Sequence, residues 1–399
     1  MNEPGQKQDG ITRNLLPVLV VLLAIVLFSG LIFLVTRNNT MGSDFYIYYA
    51  AGRNLTINHQ SPYAEHVGDL SQMAILKHPA GKGEDQLRFV YPPYGLLPIL
   101  PLTSFPFTAA QAVWMAFSLV AIPVSILIGF RRVSPWLLTS LFLFYPLFFG
   151  LILGNMNMPV MAILFLLAGR LPKCKPEQTT ESIVLGLLMA WATIKPQFSS
   201  FYLLVFALVA YKNKYFLFLS SFIGGLIGLL AFSFWLVPDW IPQWLGLLQR
   251  YPRYIGGQIP VTPLLTHFSP TGRFLVYLIA ALVSAGVIAW CLKHWWNGRI
   301  TYLSVLAAAG LVAYLFHPTG LSYDQMIFIL PFIFWLLETW PGNPRRSFFL
   351  WLAAVISSWG LLYLSLNQIW PAATYYGLYI LYILWIVFEW PRFFDPSFG

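Results

Sequence analysis

Charged side chains are scarce in this sequence. Lysine, arginine, aspartate and glutamate together make up 9% of its 399 residues, whereas soluble globular proteins carry about 25%. Hydrophobic residues make up 58%, and the mean hydropathy is +0.69. Apolar runs of about twenty residues recur along the chain, each long enough to cross roughly 30 Å of hydrocarbon. This composition excludes an ordinary soluble protein and leaves no room for a large soluble domain.

Cysteines are also few, and internal repeats are absent. Cys174 and Cys291 are the two cysteines, too few and too far apart in sequence to indicate a disulfide framework or a metal site. No segment recurs at a fixed period, which argues against a transporter built from inverted repeats. The first apolar run, 15–36, exceeds the apolar core of a secretory signal and has no small-residue cleavage site after it. We therefore expect it to remain as a membrane helix.

Basic residues predict the orientation of the chain in the membrane. Short clusters of lysine and arginine separate the apolar runs, and cytoplasmic loops carry an excess of these residues. With every cluster placed in the cytoplasm, the chain has about twelve helices and both termini inside, although the three short runs between 155 and 211 allow a different division. The predicted helices cover residues 15–36, 108–130, 134–152, 155–170, 181–194, 197–211, 215–237, 272–292, 300–316, 323–338, 347–365 and 372–389.

This arrangement describes an all-α integral membrane protein, with residues 1–399 forming one domain. Two long loops, 37–107 and 238–271, then lie outside the cytoplasm. The net charge of +9 mostly reflects the cytoplasmic excess of basic residues, so no nucleic-acid partner is expected. Membrane lipids are the expected surroundings.

The first outer loop carries a lone carboxylate, Asp44, within the stretch Met-Gly-Ser-Asp-Phe-Tyr-Ile-Tyr-Tyr-Ala-Ala-Gly at 41–52. A charge beside the membrane is a candidate functional residue, and this one lies where a lipid-borne substrate would present its headgroup. Aromatic residues at helical spacing in Phe45–Leu55 predict a short helix in the interface. The apolar run Gly95–Phe105, about eleven residues long, is too short to span the bilayer and should re-enter or lie on the surface.

The second outer loop combines aromatic residues with arginines. Trp240, Trp244 and Tyr251 lie near Arg250 and Arg253, a combination that suits sugar stacking and phosphate binding. Arginines beside a membrane, Arg88 among them, are also commonly anchors for lipid headgroups. Both interpretations remain open.

Several short motifs follow one another along the sequence. The first are Gly42-Ser43-Asp44-Phe45-Tyr46 with Tyr49 and Ala50, then Ser61-Pro62-Tyr63, then Phe89 to Pro93 with Pro98 and Pro101. In this order they resemble glycosyltransferase family 87. Gly154-Asn155-Met156-Asn157 resembles the family's Gly-Gln-x-Asn turn, with Asn155 in place of glutamine. Ala192-Thr193-Ile194-Lys195-Pro196 resembles its lysine-containing turn. His317-Pro318 through Tyr323-Asp324 aligns loosely with its Ser-Pro segment, with the histidine earlier than usual and an aspartate in the later position.

The resemblance implies a membrane enzyme of the GT-C type, and inversion at the anomeric carbon follows if only one carboxylate acts. The enzyme would move a hexose, with mannose expected, from a polyprenyl-phosphate donor to a lipid- or glycan-linked acceptor on the outer face of a bacterial-type plasma membrane. The resemblance assigns the general base to Asp44. Contacts to the donor phosphate or the substrate are expected from Lys195, Arg88, Arg253, His317, Asp324, Tyr49 and Asn157. No Asp-x-Asp pair occurs, which argues against a metal-bound nucleotide-sugar site, and neither a metal nor another cofactor is expected.

Each of these residues also has a simpler structural interpretation. Asp44 would serve equally as a helix cap, and Lys195 as a cation that snorkels from a helix end. His317 and Asp324 would satisfy the end of a helix. The asparagines of the 154–157 turn would only hydrogen-bond the turn itself.

Two other functions fit part of the pattern. A lipid or sugar-lipid transporter without transferase activity should place ionisable residues near the middle of its helices, but here the charges cluster at the membrane faces. Another GT-C activity, such as glucosyl or arabinosyl transfer or a ligase with a lipid-diphosphate donor, is compatible with the same features. The sequence chooses neither the sugar nor the acceptor.

Overall fold

The computed structural model describes residues 5–81, 84–130, 133–174, 178–251, 269–317, 320–339, 342–389 and 391, with side chains from residue 16 onward. Within these ranges the chain forms helices and has no β-strand. The α-helices are α1 (Gly5–Thr36), α2 (Ser43–Thr56), α3 (Glu65–Ile75), α4 (Phe107–Gly129), α5 (Pro135–Ser140), α6 (Tyr145–Leu153), α7 (Asn157–Arg170), α8 (Thr179–Trp191), α9 (Pro196–Lys212), α10 (Phe216–Leu236), α11 (Trp240–Arg250), α12 (Pro270–Trp296), α13 (Tyr302–Leu315), α14 (Ile329–Thr339), α15 (Pro344–Leu366) and α16 (Ala373–Phe388).

Short 3₁₀ helices link several of these elements. They cover Pro93–Leu96, Leu100–Ser104, Leu141–Leu143, Leu171–Lys173, Ala192–Ile194 and Ser322–Phe328. The apolar run at 95–105 therefore folds into short turns, as expected of a run that cannot span a bilayer. A helix is present where one was predicted at Phe45–Leu55, as α2.

Several helices are long and apolar enough to cross a membrane. In the described part of the chain there are five such helices, Leu16–Thr36, Phe107–Gly129, Phe216–Leu236, Pro270–Trp296 and Pro344–Leu366. The segments Pro135–Leu143 and Tyr145–Leu153 make a sixth if they form one span, but they are bent by 68°. The prediction of an all-α membrane protein is confirmed. Judged by length and composition, the described helices provide five or six spans, fewer than the predicted number of about twelve.

Fewer helices are long enough to span a membrane than predicted because several of the predicted spans form short helices. A helix of 14 residues such as α7 is only about 21 Å long at 1.5 Å per residue, less than the roughly 30 Å of a bilayer core. Nearly every residue of α7 is buried, which is typical of a helix enclosed by other helices. α9 has 17 residues and α13 has 14. Each of these short helices coincides with a predicted apolar run.

Small residues allow the central helices to pack closely. A methyl group added at Gly169 on α7 would lie 2.6 Å from the Cα atom of Gly129 on α4, and one at Gly186 on α8 would lie 2.6 Å from the carbonyl oxygen of Phe218 on α10. Helices in a bilayer associate through such close backbone contacts, because lipid removes the hydrophobic drive between them. These contacts fix α4, α7, α8 and α10 as a framework for the loops.

The first loop is attached to this framework through α4. The Gln111 side chain accepts a hydrogen bond from the amide of Gly42 at 3.2 Å and donates to the carbonyl of Asn39 at 3.0 Å. Phe45 stacks on Trp114, with ring centroids 5.6 Å apart. The start of α2 is therefore held against α4, and Asp44 with it.

The orientation of the chain is testable with thiol labelling. We expect a cysteine at exposed Gln60 to react with an impermeant maleimide added to intact cells, and one at Gln178 to react only after the membrane is opened, because the basic clusters belong inside. The native thiols of Cys174 and Cys291 are buried, and a background with both changed to serine removes them. Reaction of both new cysteines from outside would overturn the proposed orientation.

Candidate active site

A small polar cavity lies where α2 meets the segments that follow α3, α6 and α8. Its volume is about 50 Å³, and it is lined by Asp44, Ile47, Tyr48, Asp85, Arg88, Val90, Tyr91, Asn155, Lys195, Gln197, Tyr251, Tyr323 and Asp324. A larger cavity of about 520 Å³ lies among α12, α13 and α16, but its lining is almost entirely apolar. Carboxylates, cations and phenols meet in the smaller cavity, which makes it the candidate active site.

Asp44 occupies the first turn of α2 and contacts the cavity. The side-chain nitrogen of Asn155 donates a hydrogen bond of 2.5 Å to its Oδ2 atom. Burial raises the pKa of Asp44 to about 6, while this hydrogen bond and the charge of Lys195 oppose the rise. The carboxylate is thus mostly ionised at pH 7, with a pKa close to the value that suits a general base. It does not cap α2, because the helix begins without a side-chain cap.

A tight turn between α6 and α7 brings Asn155 to Asp44. Gly154 ends α6 with φ +65°, in the left-handed region that glycine adopts without strain. A methyl group at Gly154 would also lie 2.6 Å from the Cβ atom of Phe45. Glycine therefore permits both the turn and the close approach of α2. The Asn155 Oδ1 atom accepts a hydrogen bond from the amide of Asn157 at 2.8 Å, which fixes the side chain.

Lys195 lies between α8 and α9, directly before Pro196. Its φ and ψ of −122° and 72° are outside the helical region, as expected for a residue that precedes proline. The side chain is 5% exposed, and its Nζ atom lies 3.3 Å from Asp324 Oδ1 and 3.5 Å from Asn155 Oδ1. This inward pairing replaces the snorkelling interpretation. Burial alone would lower the pKa of Lys195, but attraction to Asp324 and other neighbours raises it, so the ammonium stays charged.

Asp324 is the buried counter-ion of Lys195. Its Oδ1 atom also accepts a hydrogen bond of 2.9 Å from the Asn157 side chain. Burial alone would raise the pKa of Asp324, but His317, Lys195 and the bond from Asn157 hold it below its usual value. His317 Nδ1 lies 3.5 Å from Oδ2. The ion pair with Lys195 thus allows the Asp324 carboxylate to stay ionised although it is buried.

His317 is neutral at pH 7. The amide of Gly320 donates to its Nδ1 atom at 3.2 Å, so that nitrogen is an acceptor and the proton sits on Nε2. Burial lowers the pKa of His317 to about 4. It carries a positive charge, and so helps to keep Asp324 ionised, only at acid pH. At neutral pH, Lys195 supplies the compensating charge.

Arg88 brings a second cation to the cavity. Its Nη1 atom is buried and has no hydrogen-bond partner among the described residues, but it forms an ion pair at 3.8 Å with Oε1 of Glu65. Arg250 approaches the same oxygen at 3.7 Å, although the Glu65 side chain is 75% exposed. Two guanidinium groups thus share one weakly held carboxylate. A buried donor without a partner is costly, and an anionic group entering the cavity would satisfy it.

The remaining sequence candidates occupy different places. Tyr49 lies outside the cavity lining, where its hydroxyl donates to the carbonyl of Phe105 at 2.7 Å and accepts from Arg53 at 3.0 Å. Asn157 and His317 lie behind the lining and contact Asp324. Arg253 is outside the described residues. The cavity thus brings together Asp44, Lys195, Arg88 and Asp324 among the predicted residues.

The structure adds Asp85, which sequence reasoning did not single out. It lines the cavity, its Oδ1 atom accepts a hydrogen bond of 2.9 Å from the amide of Leu87, and burial raises its pKa. Neighbouring Glu84 is exposed, and nothing in the local sequence distinguishes the two acids. Tyr48, Tyr91, Tyr251 and Tyr323 also line the cavity. None of them was among the predicted site residues, although the sequence placed Tyr251 in the second outer loop with its arginines and Tyr323 in a motif beside Asp324.

The described residues contain no group of three or more histidine, cysteine, aspartate or glutamate side chains arranged to hold a metal ion. Asp44 and Asp324 are instead engaged by an amide and an ammonium group. The donor set of the cavity therefore suits proton transfer and anion binding better than metal coordination.

Helices suited to a bilayer and a polar cavity with a poised carboxylate define a candidate membrane enzyme. The sequence model of glycosyltransferase family 87 matches residues 89–318, more than half of the chain. The chain belongs to glycosyltransferase family 87, which supports a membrane glycosyltransferase and disfavours a transporter without transferase activity. The match includes Asn155 and Lys195, whereas Asp44 precedes it and Asp324 follows it. Comparisons with curated proteins and with solved structures gave no significant match.

Proposed function

We propose that the protein transfers a hexose, mannose by resemblance, from a polyprenyl-phosphate donor to a lipid- or glycan-linked acceptor, with inversion at the anomeric carbon. The reaction takes place on the outer face of the plasma membrane. Family membership supports the transferase class. The observation that carries the proposal is the placement of Asp44, Lys195 and Arg88 around one polar cavity. The GT-C type of fold belongs to the same proposal.

Asp44 acts as the general base in this mechanism. The acceptor hydroxyl is a poor nucleophile near neutral pH, so a carboxylate that accepts its proton contributes roughly a hundred- to ten-thousand-fold. As the hydroxyl oxygen bonds to the anomeric carbon, the bond from that carbon to the phosphate oxygen breaks. The leaving phosphate keeps the electron pair, and the proton moves to Asp44. One such displacement inverts the anomeric carbon.

Cations stabilise the departing lipid phosphate. This group leaves as an anion, so it requires positive charge and hydrogen-bond donors rather than a general acid. Arg88 offers its Nη1 atom, which has no hydrogen-bond partner among the described residues. Lys195 offers a buried ammonium, and charge-assisted bonds are strong where water is excluded. Asp324 keeps Lys195 charged and in place.

The tyrosines provide surfaces for the sugar. Four of them line the cavity, and aromatic rings pack against the apolar faces of sugars while phenol groups bond hydroxyls. The cavity of about 50 Å³ is smaller than the roughly 300 Å³ at which ligand pockets usually begin. The sugar-bound state must therefore be wider than the present one.

The donor is identified by direct transfer. Purified protein in vesicles is incubated with one radiolabelled donor at a time, polyprenyl-phosphate mannose, glucose or arabinose, together with membrane lipid extract as acceptor. We expect label to move from the mannose donor into lipid or glycan. Transfer only from another sugar would change the proposed substrate, and transfer only from a lipid-diphosphate sugar would replace the proposed donor class.

Chelators provide a further test. We expect EDTA to leave transfer largely intact, because Asp44 is engaged by Asn155, Asp324 by Lys195 and Asp85 by the amide of Leu87, rather than all three being gathered around a site for a hard divalent ion. The measurement compares initial rates before and after metal removal. Complete loss of activity that magnesium or manganese restores would contradict a mechanism based on the side chains alone.

A further inference from the structure

The side-chain amide of Asn155 lies between the carboxylate of Asp44 and the ammonium of Lys195, and its orientation is determined. The Oδ1 atom faces the backbone amide of Asn157 at 2.8 Å and Lys195 Nζ at 3.5 Å. Both of those groups can only donate hydrogen bonds, so the atom that faces them must be the oxygen. The NH₂ group therefore points at Asp44, 2.5 Å from its Oδ2 atom.

This bond leaves the two oxygens of Asp44 in different situations. Oδ2 is occupied by Asn155, whereas Oδ1 has no hydrogen-bond partner in the described part of the chain, and the carboxylate contacts the cavity. A base needs one free oxygen, aimed at the proton that it removes. We propose that Asn155 is the positioning residue of the base: it holds Oδ2, presents Oδ1 to the cavity and keeps the carboxylate in register with Lys195.

This inference rests on the proposed function, in which Asp44 accepts the proton of the acceptor. An amide suits the role better than other side chains of similar size. An aspartate at 155 would place two carboxylates in contact, and one of them would have to take up a proton. A leucine would leave Asp44 half-buried without its donor. The turn at Gly154 brings the amide close enough to bond.

Other titratable or charged groups also lie near Asp44, and three of them, Lys195, Asp85 and Asp324, shift its pKa through their charge. They come from several elements: Lys195 before α9, Asp324 in the 3₁₀ helix, Asp85, Arg88 and Tyr91 after α3, Tyr48 on α2, Tyr251 after α11 and Tyr323 before Asp324. In the described residues, Asn155 is the side chain that hydrogen-bonds the Asp44 carboxylate. A change at Asn155 is therefore distinguishable from a general change of charge in the cavity.

Carbodiimide labelling measures this link without any sugar substrate. The reagent activates a protonated carboxyl group, and a small added amine then forms a stable amide. The labelled fraction of Asp44, mapped by mass spectrometry, falls as pH rises through its pKa, and its midpoint in the native chain should lie at about pH 6. In Asn155→Leu the ionised form loses a hydrogen bond, so the midpoint should rise by about one to two pH units.

Asp85 is the internal control, since it lines the same cavity and bonds the amide of Leu87 rather than Asn155. Its labelling profile should stay unchanged in Asn155→Leu. Asn155→Gln keeps an amide donor and should return the Asp44 midpoint toward the native value. An unchanged Asp44 midpoint in Asn155→Leu would overturn the inference. So would equal shifts at Asp44 and Asp85, because they would indicate a general rearrangement of the cavity.

Transfer assays separate this inference from the function on which it rests. The acid limb of the pH–rate profile should move upward in Asn155→Leu by as much as the labelling midpoint does. If the labelling midpoint of Asp44 moves and the acid limb of the pH–rate profile does not, Asp44 is excluded as the base, but its link to Asn155 stands. A native protein that transfers no sugar from any donor would refute the proposed function, and the labelling result would still decide the link.

Discussion

Replacing Asp44 with asparagine is expected to lower turnover by at least about a hundredfold while the protein stays folded. Asparagine has nearly the same shape, and its side-chain oxygen can still accept the hydrogen bond that Asn155 donates. The variant loses the ability to take up the proton of the acceptor. Binding of the donor should change little, because the cations that face the phosphate remain. Initial rates at saturating donor and acceptor give the comparison.

The matched control is Asp69→Asn, which removes a carboxylate from the exposed surface of α3 and should leave turnover unchanged. In the native protein, activity should rise as pH increases through about 6, the pKa of Asp44, and then level off, because the base works only when ionised. Near-normal transfer by Asp44→Asn would exclude Asp44 as the base. Asp85, the other partly free carboxylate of the cavity, would then be the next candidate.

The positions of the helices were predictable from sequence, but the way they cross the membrane was not. Apolar runs are local features, so the predicted runs coincide with helical segments, although the run at 134–152 is divided by a bend. The helices α3 and α11 lie in the two outer loops and were not predicted. Whether a helix of 14 residues such as α7 counts as a span depends on its tilt and its neighbours, which a hydropathy profile does not contain. The 68° bend between the segments at 135–153 likewise depends on packing.

In the candidate site, too, the features that are local in sequence were predictable, and the contacts between distant residues were not. Asp44 and Lys195 are lone charges beside apolar runs, and this made them visible as candidates. The partnership of Lys195 with Asp324 joins residues 129 positions apart, and no spacing rule connects them. Tyr48 and Tyr49 are adjacent on α2, yet Tyr48 lines the cavity and Tyr49 does not, because successive residues of a helix point about 100° apart. The packing of α2 against its neighbours determines which of the two tyrosines lines the cavity.

Lys195→Met is expected to lower both stability and transfer, and the two losses have different causes. Methionine keeps the apolar stem of the side chain but removes its charge. Lys195 is paired with buried Asp324 at 3.3 Å. Removing one partner of a buried ion pair costs about 3–5 kcal/mol, since the other charge is left uncompensated. Thermal unfolding of the purified variant in detergent measures this loss.

The double variant Lys195→Met/Asp324→Asn separates the two effects. It removes both charges of the pair, which is often close to neutral for stability, so its unfolding temperature should return toward the native value. Transfer should stay low by about a hundredfold, as after loss of one preorganised donor to a developing anion. The defect should appear as weaker donor binding and slower departure of the lipid phosphate, with the apparent affinity for the acceptor nearly unchanged.

The kinetics of this double variant distinguish three roles for Lys195. A defect confined to the donor supports contact between its ammonium and the phosphate in the polar cavity. A defect confined to the acceptor would place Lys195 in the acceptor site instead. Native rates in the double variant, together with the stability loss of Lys195→Met alone, would show that Lys195 only balances the charge of Asp324. Arg88, whose Nη1 atom has no hydrogen-bond partner in the part of the chain that the structure describes, would then be the remaining cation in the described lining of the cavity that can receive the phosphate.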